Sequence, residues 1–270
     1  MSVEKLLETA RAAAAEAAAV HHRYLRSFGA ESWAEKGWAD FVTHVDREAE
    51  AAIVARIAAE FPGHAVLAEE ASTAPGAIAL APAGEWLWVV DPLDGTTNYL
   101  HAYPMYAVSI AVARLGVLQA AVVLNTASGE EWTATRGGGA FWNGSPIRVS
   151  AIDRLEQSLI GTGFPFKVQH LIPEYLPQFG AVLRVTSGVR RAGAAAVDLC
   201  HVAMGALDGF WELSLAPWDV AAGALVVREA GGMVTRIDGN QDVIGPGSIL
   251  AGNPSIHAAL GATLASVRGS

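Results

Sequence analysis

Trp86-Leu87-Trp88-Val89-Val90-Asp91-Pro92-Leu93-Asp94-Gly95-Thr96-Thr97-Asn98 joins a wholly apolar run to a run of acids, turn residues and hydroxyls. Residues 86–90 are apolar throughout and β-leaning, which predicts a short strand buried on both faces. A carboxylate following such a strand stands at the rim of the sheet, where ligands often bind. Pro92 is expected to stop the ladder and fix the backbone. Asp91 and Asp94, three apart across a turn, can face one point. Hard cations such as Mg²⁺ take oxygen ligands, commonly one or two carboxylates with water and a substrate phosphate. Gly95 permits close backbone approach, and the N–H groups of Gly95 and Thr96 can meet a phosphate if a helix begins there. A bare D-x-x-D-G is most often a surface turn opening a helix. The seven residues from Asp91 to Thr97 form a far more specific string.

Upstream, residues 3–28 predict a helix with Val3, Leu6, Leu7, Ala10, Ala14 and Ala17 on one stripe. A loop over 29–44, leading to a short strand or turn, separates it from a second helix over 45–60. Val45, Ala49, Ala52, Ile53 and Ile57 form the inner face of that helix, and Phe61-Pro62-Gly63 stops it. Ala65-Val66-Leu67-Ala68 reads as another strand, with Glu69-Glu70 at its end, followed by a loop over 71–84. Downstream of Asn98, strands are expected at 106–114, 117–124 and 130–135. Their connections are too short for helical crossovers, so this block is antiparallel. Gly137-Gly138-Gly139 and Asn143-Gly144-Ser145-Pro146 are turn signals. The second half alternates, with strands expected at 158–162, 181–186, 208–212, 233–237 and 248–251, and helices at 192–206, 217–230 and 254–267. That alternation suggests an α/β layer. The chain divides near residue 150 into 1–150 and 151–270, with no flexible linker, so the two parts are expected to pack tightly.

The bulk properties exclude several classes. The net charge is −9, against the basic face of a nucleic-acid binder. Cys200 is the only cysteine, so no intrachain disulfide can form, and a reducing compartment fits. The charged residues among the alanines of 1–20 exclude a signal peptide, and the apolar runs fall far short of the ~20 residues a membrane span needs. A cytoplasmic protein with no membrane partner is expected. There is no C-x₅-R loop and no G-x₄-G-K loop, which argues against a phosphocysteine intermediate and a nucleoside-triphosphate cradle. The eight histidines are scattered without metal-ligand spacing and are assigned ordinary roles.

Glu69-Glu70, the string from Trp88 to Asn98, and Trp218-Asp219-Val220-Ala221-Ala222-Gly223 through Glu229-Ala230-Gly231-Gly232 together resemble the inositol monophosphatase family of metal-dependent, lithium-sensitive phosphatases. Val42-Thr43 before Asp46, Phe61-Pro62-Gly63-His64 and Gly139-Ala140-Phe141-Trp142-Asn143-Gly144 add to the match, which runs in family order over nearly the whole chain. The resemblance implies a layered αβαβα sandwich of the inositol monophosphatase and fructose bisphosphatase type, part α+β and part α/β, and often a homodimer. It implies that Glu69, Asp91, the Leu93 carbonyl, Asp94 and Asp219 hold two or three Mg²⁺ ions. Asp46 and Thr96, with Glu69, would orient the attacking water. Leu93, Asp94, Gly95, Thr96 and Asp219 would face the phosphate, and Gly193, Ala194, Ala195 and Glu212 the sugar or cyclitol. Two departures stand out: Ala68 occupies a position where glycine is usual, and Ala194 one where many relatives carry Ser or Thr.

Charge supports the same chemistry. Glu69, Asp91, Asp94 and Asp219 at one pocket would repel a phosphate dianion unless cations intervene. The expected reaction is Mg²⁺-dependent hydrolysis of a small phosphomonoester, inositol monophosphate first. Histidinol phosphate, fructose bisphosphate and nucleotide phosphates are alternatives. A non-catalytic protein-binding homologue is a reading of another class, and it would predict damaged ligands. Glu212 suits a neutral or cationic leaving group and disfavours a second phosphate unless Arg190 or Arg191 compensates. Trp86 and Trp88 read as core or interface residues, and Phe164-Pro165-Phe166 as a strand exit.

Overall fold

The computed structural model describes residues 2–26, 34–37, 40–72 and 86–267. Helix α1, Val3–Tyr24, is followed by a small antiparallel pair, β1 (Ala34–Gly37) and β2 (Asp40–Val42), and by helix α2 (His44–Glu60). Strand β3 (Ala65–Ala68) leads into one turn of helix, α3 (Glu69–Ser72). Next come β4 (Trp86–Asp94), the short α4 (Thr96–Leu100), β5 (Ala107–Arg114), β6 (Val117–Asn125), β7 (Glu130–Thr135), β8 (Gly139–Trp142) and β9 (Ser145–Pro146). These strands form a seven-stranded sheet in the order β3-β4-β5-β6-β7-β8-β9, antiparallel except for the β3–β4 pair.

The remainder comprises β10 (Leu159–Thr162), α5 (Ile172–Val185), β11 (Gly188–Arg190), α6 (Ala195–Ala203), β12 (Gly209–Leu215), α7 (Pro217–Glu229), β13 (Met233–Thr235), β14 (Gly247–Gly252) and α8 (Pro254–Ala265). Its five-stranded sheet has the order β11-β10-β12-β14-β13, with β10 parallel to both neighbours and β14 antiparallel to both of its own. No helix among the described residues is long and apolar enough to cross a membrane.

Strand alternation sorts the side chains into layers. Trp88, Val90, Val108, Ile110, Val112, Ala120 and Val122 point to one face of the large sheet and pack on α1 and α2. Val89, Ala107, Ala111, Ala113, Ala121, Val123 and Trp132 point to the other, against α6 and α7. Phe210, Ile249 and Ala251 close that middle layer from the small sheet, while Trp211, Leu213 and Leu250 face outward onto α5 and α8. Helices, sheet, helices, sheet and helices therefore succeed one another, the αβαβα sandwich. β4 is buried on both faces, as its unbroken apolar run requires.

Four expectations need correction. No strand spans 181–186: those residues belong largely to α5, which buries Tyr175, Gln178 and Val182 along one stripe. Pro173 sits in its first turn and Pro177 inside it, and two prolines obscure a helical period in the sequence. The β4 ladder does not stop at Pro92. It is interrupted and resumes at Asp94, opposite Ala107. The helix expected over 192–206 starts only at Ala195 and ends at Ala203. The first helix ends at Tyr24, and residues 27 and 28 lie outside the described residues, as does most of the loop expected at 71–84.

α6 and α7 approach closely because Gly223 has no side chain. A Cβ there would lie 2.6 Å from Leu199 Cβ and 2.8 Å from its Cδ1. In α5, a Cβ on Gly180 would meet only the flexible end of Arg184, at 3.4 Å. Both glycines are helical, so helix propensity alone predicts the same gain for alanine. We expect Gly180→Ala to stabilise by about 0.5–1 kcal/mol and Gly223→Ala to destabilise by about 1–3 kcal/mol through overpacking, measured by denaturant unfolding.

Candidate metal centre and substrate pocket

Asp91 and Asp94 reach one point through a bulge. In a regular strand, residues three apart lie on opposite faces. Here Asp91 pairs with Ser109 and Asp94 with Ala107, so three steps on β4 match two on β5. The extra residue restores parity, and both carboxylates emerge on the side of α7. Asp91 Oδ1 accepts a hydrogen bond from Leu93 N at 2.9 Å inside the bulge. Asp94 Oδ2 accepts from Ala196 N, 2.8 Å away at the start of α6. Asp219 Oδ2 accepts from Ala216 N at 2.7 Å at the start of α7. Ser109 Oγ donates to the Trp218 carbonyl at 3.1 Å and ties α7 to the large sheet.

One carboxylate oxygen from each of Asp91, Asp94 and Asp219 lies within 4.8 Å of the other two. Asp91 is 1 % and Asp94 8 % exposed. Burial pushes the proton affinity of both well up, and mutual repulsion adds to it: Glu69, Asp94 and Asp219 act on Asp91, and Asp219 acts most strongly on Asp94. Glu69 enters from β3. The parallel register pairs Ala68 with Val90, so Glu69 and Asp91 follow level with each other at the same strand end. Glu50 Oε2 and Oε1 accept from Glu70 N and Ala71 N at 2.7 and 2.9 Å and anchor the turn that carries Glu69.

Asp46 lies behind this group, 1 % exposed. Its Oδ2 accepts from Thr43 N and Thr43 Oγ1 at 2.8 and 2.6 Å, capping α2. Its Oδ1 is within 3.1 Å of Thr96 Oγ1, which also lies 3.1 Å from the Leu93 carbonyl oxygen. Burial raises the Asp46 pKa, and the Thr43 hydrogen bonds oppose that rise. Gly95 adopts φ +87°, and a Cβ there would lie 2.8 Å from the Met105 carbonyl oxygen. Only glycine fits that link between β4 and α4.

The pocket over these acids is lined by Glu69, Asp91, Leu93, Asp94, Gly95, Thr96, Gly193, Ala195, Glu212 and Asp219 among the expected residues. Ala194 is not on the wall. It is buried, with its Cβ packed behind Gly95. Sequence reasoning missed several lining groups: Asn98, Phe164, Phe166, Lys167 and Ser214. Asn98 Nδ2 donates to the Met105 and Ala192 carbonyls at 2.6 and 3.0 Å, joining the first wall to the segment before Gly193. Ser214 has φ +58° and sits in a second bulge, between Glu212 and Leu215 of β12. The one available signal was position: Phe164 and Phe166 follow β10, and Ser214 lies in β12, which runs parallel beside it. Arg191 lines the pocket with its guanidinium 5.4 and 5.0 Å from the centres of the Phe164 and Phe166 rings, whereas Arg190 is exposed.

No His or Cys belongs to the acid group, and Cys200 is buried in the middle core layer. The donors are therefore all oxygen, the set that hard divalent cations take. Burial likewise raises the Glu212 pKa well above the ordinary range, helped by Asp219 and Asp198 and opposed by Arg191.

A sequence profile of the inositol monophosphatase family matches residues 2–268. The chain is 44% identical over 264 residues to a Nus factor SuhB of Pseudomonas aeruginosa, covering 97% of this chain and 96% of that protein. It is 45% identical over 225 residues to an inositol-1-monophosphatase of Mesorhizobium japonicum, covering 83% of each. Among solved structures, the extragenic suppressor protein suhB of Bartonella henselae superposes with a TM-score of 0.88 at 38% identity, covering 98% of this chain and 100% of that one. The inositol monophosphatase of Anabaena gives 0.87 at 39% identity, covering 99% and 98%.

Asp198, buried on α6 near Arg191, has its pKa pushed up to about 8 by burial. A carboxyl whose folded pKa is raised binds more protons folded than unfolded. Its contribution is therefore fully present below the unfolded value of 3.8 and is lost as pH rises toward 8. In chelator, Asp198→Asn should gain stability relative to the parent chain steadily from pH 5 to 8, read by thermal unfolding. A pH-independent difference between the two would contradict this.

Proposed function

The chain belongs to the inositol monophosphatase family, and on that premise we propose that it hydrolyses phosphate monoesters of small polyhydroxylated alcohols, inositol monophosphate first among them. The carrying observation is the convergence of Asp91, Asp94 and Asp219 within 4.8 Å, with Glu69 lining the same pocket. These residues and the Leu93 carbonyl would hold Mg²⁺. When bound, the cation neutralises the acids and acts as a Lewis acid toward the phosphoryl group and the attacking water.

The chain's own groups are proposed to do the rest. Gly95 and Thr96, opening α4, take phosphate oxygens through their backbone N–H groups. Glu69 and Thr96 Oγ1 hold the water. A proton passes from that water to Thr96 Oγ1 while the hydroxyl proton of Thr96 moves to Asp46 Oδ1, 3.1 Å away. The buried Asp46, with its raised pKa, is suited to receive it. As the water oxygen bonds to phosphorus, the bond to the alcohol breaks on the opposite side and its oxygen takes a proton from solvent; the wall formed by Gly193, Ala195 and Glu212 meets this leaving alcohol. Glu212 accepts from its hydroxyls, and Ala194, behind the wall, offers no side-chain contact.

Several relatives are called Nus factors, a name that describes those proteins. A purely adaptor role requires no acid cluster, and all of the acids expected to bind metal are present here, which supports catalysis.

Two expected outcomes test the reading. Phosphate release from inositol 1-phosphate should require Mg²⁺ and stop with chelator. Asp94→Asn and Asp219→Asn should each lower kcat by about 100-fold or more, beyond the 10–100-fold typical of groups that merely support a ligand, with folding retained by circular dichroism. Undiminished turnover in metal-free buffer would overturn the metal assignment. Glu212→Gln should lower kcat/KM for inositol 1-phosphate about tenfold or more, since a hydrogen bond to a charged group contributes ~1.5–3 kcal/mol. Its effect on 4-nitrophenyl phosphate, which has no hydroxyl on its leaving group, should be much smaller. Equal losses on both would move Glu212 out of the leaving-group pocket. A better rate on histidinol phosphate, with a larger loss there, would favour an ammonium over a polyol.

A further inference from the structure

Glu212 rests in a place where a side chain is missing. β10 and β12 run parallel, and Thr162 pairs with Trp211. The next residues, Gly163 and Glu212, therefore lie level as each chain approaches the pocket. A Cβ on Gly163 would fall 1.9 Å from Glu212 Cδ, 1.9 Å from Oε1 and 2.1 Å from Oε2. All three carboxylate atoms thus occupy the volume of one absent methyl group. Gly163 is not among the residues with positive φ, so its backbone is open to any L-residue. Room for the carboxylate, and not backbone conformation, is what requires glycine there.

The surroundings leave Glu212 little choice of another position. Thr162 Oγ1 is 3.3 Å from the Gly163 carbonyl oxygen and 3.0 Å from Tyr175 Oη, so the peptide under the carboxylate is held. Tyr175 stacks on Trp211, the residue before Glu212, with ring centres 6.1 Å apart and planes 14° from parallel. On the other side, the bulge that holds Ser214 at φ +58° interrupts the β12 ladder just beyond Glu212, before it resumes at Leu215. Arg191, on the pocket lining, and Asp198, buried on α6, act on Glu212 with charges of opposite sign. A carboxylate displaced from its place over Gly163 would swing into the pocket toward Asp219 or against Arg191.

We infer that Gly163 is a positioning residue: its missing side chain is the seat of the Glu212 carboxylate, and through that seat it sets the preference for polyhydroxylated over apolar leaving groups. The inference rests on the reading that Glu212 borders the leaving alcohol. It adds the residue that fixes where Glu212 stands.

The test compares the full-length protein with Gly163→Ala, Glu212→Ala and the double variant, in Mg²⁺, on inositol 1-phosphate and 4-nitrophenyl phosphate. Gly163→Ala should lower the ratio of the two kcat/KM values about tenfold, through KM for inositol 1-phosphate, as the loss of a charged hydrogen bond would. The double variant should show the ratio of Glu212→Ala alone, since removing the carboxylate removes what the methyl group displaces. Parent-like selectivity in Gly163→Ala, an equal loss on both substrates, or a further loss of ratio in the double variant would overturn the inference. Thermal unfolding of the same four proteins tests the seat apart from the substrate reading. Gly163→Ala should lower Tm in the parent and not in the Glu212→Ala background, and an equal drop in both would overturn the seat. Should Glu212→Ala leave the ratio unchanged, the leaving-group role of Glu212 fails, and a background-dependent Tm effect would still report the seat.

Discussion

Three carboxylates crowded into one buried point are the constraint around which this fold is arranged. Asp91, Asp94 and Asp219 come from two elements separated by more than 120 positions of chain, and like charges that close repel strongly when water is excluded. Each acid spends one oxygen on a backbone N–H, from Leu93, Ala196 and Ala216 respectively. Two of those donors stand at the starts of α6 and α7, where the helix dipole also favours negative charge. The rest of the repulsion is what a divalent cation would relieve. Gathering the acids thus costs folding free energy, which a bound cation would offset.

The layers follow from the same need. α6 and α7 must bring their first turns to the edge of the large sheet, and they can because the middle layer is built of small residues. Ala107, Ala111, Ala113 and Ala121 face them from the sheet, and Ala196, Ala221, Ala222 and Gly223 answer from the helices. The outer face of that sheet carries Trp88, Val108, Ile110 and Val112 against α1 and α2. One strand thereby serves a thin inner layer and a bulky outer one by alternation alone. Glu212 reaches the pocket from the small sheet, where Thr162 before Gly163 pairs with Trp211 before Glu212.

Much of this was legible in the sequence, where local pattern and structure agree. The unbroken apolar run 86–90 gave a doubly buried strand, and the short connections after it gave antiparallel pairing. Asp91 and Asp94 stand out at the end of an apolar strand, whereas Glu69 and Asp219 joined them only through the family resemblance. What stayed hidden depends on through-space parity. The sequence shows Asp91 and Asp94 three apart and suggests a turn, but the register with Ser109 and Ala107 makes it a bulge in a strand that continues. α5 was read partly as strand because Pro173 and Pro177 mask its period, while its burial against Trp211 and α8 decides for helix. Glu50, which braces the turn carrying Glu69 from behind, carries no motif of its own. The space over Gly163 is visible only once Glu212 is seen lying in it.

The central claim is that the acid cluster is strained without a cation and relaxed with one. Thermal unfolding of the parent chain and Asp91→Asn, in chelator and across a Mg²⁺ titration, measures this directly. Mg²⁺ should raise the parent Tm in a concentration-dependent way, as any ligand of the folded state alone does. Asp91→Asn should be the more stable of the two in chelator and should lose most of the Mg²⁺ response. A parent Tm indifferent to Mg²⁺, or an Asp91→Asn protein with the full Mg²⁺ response, would contradict the account.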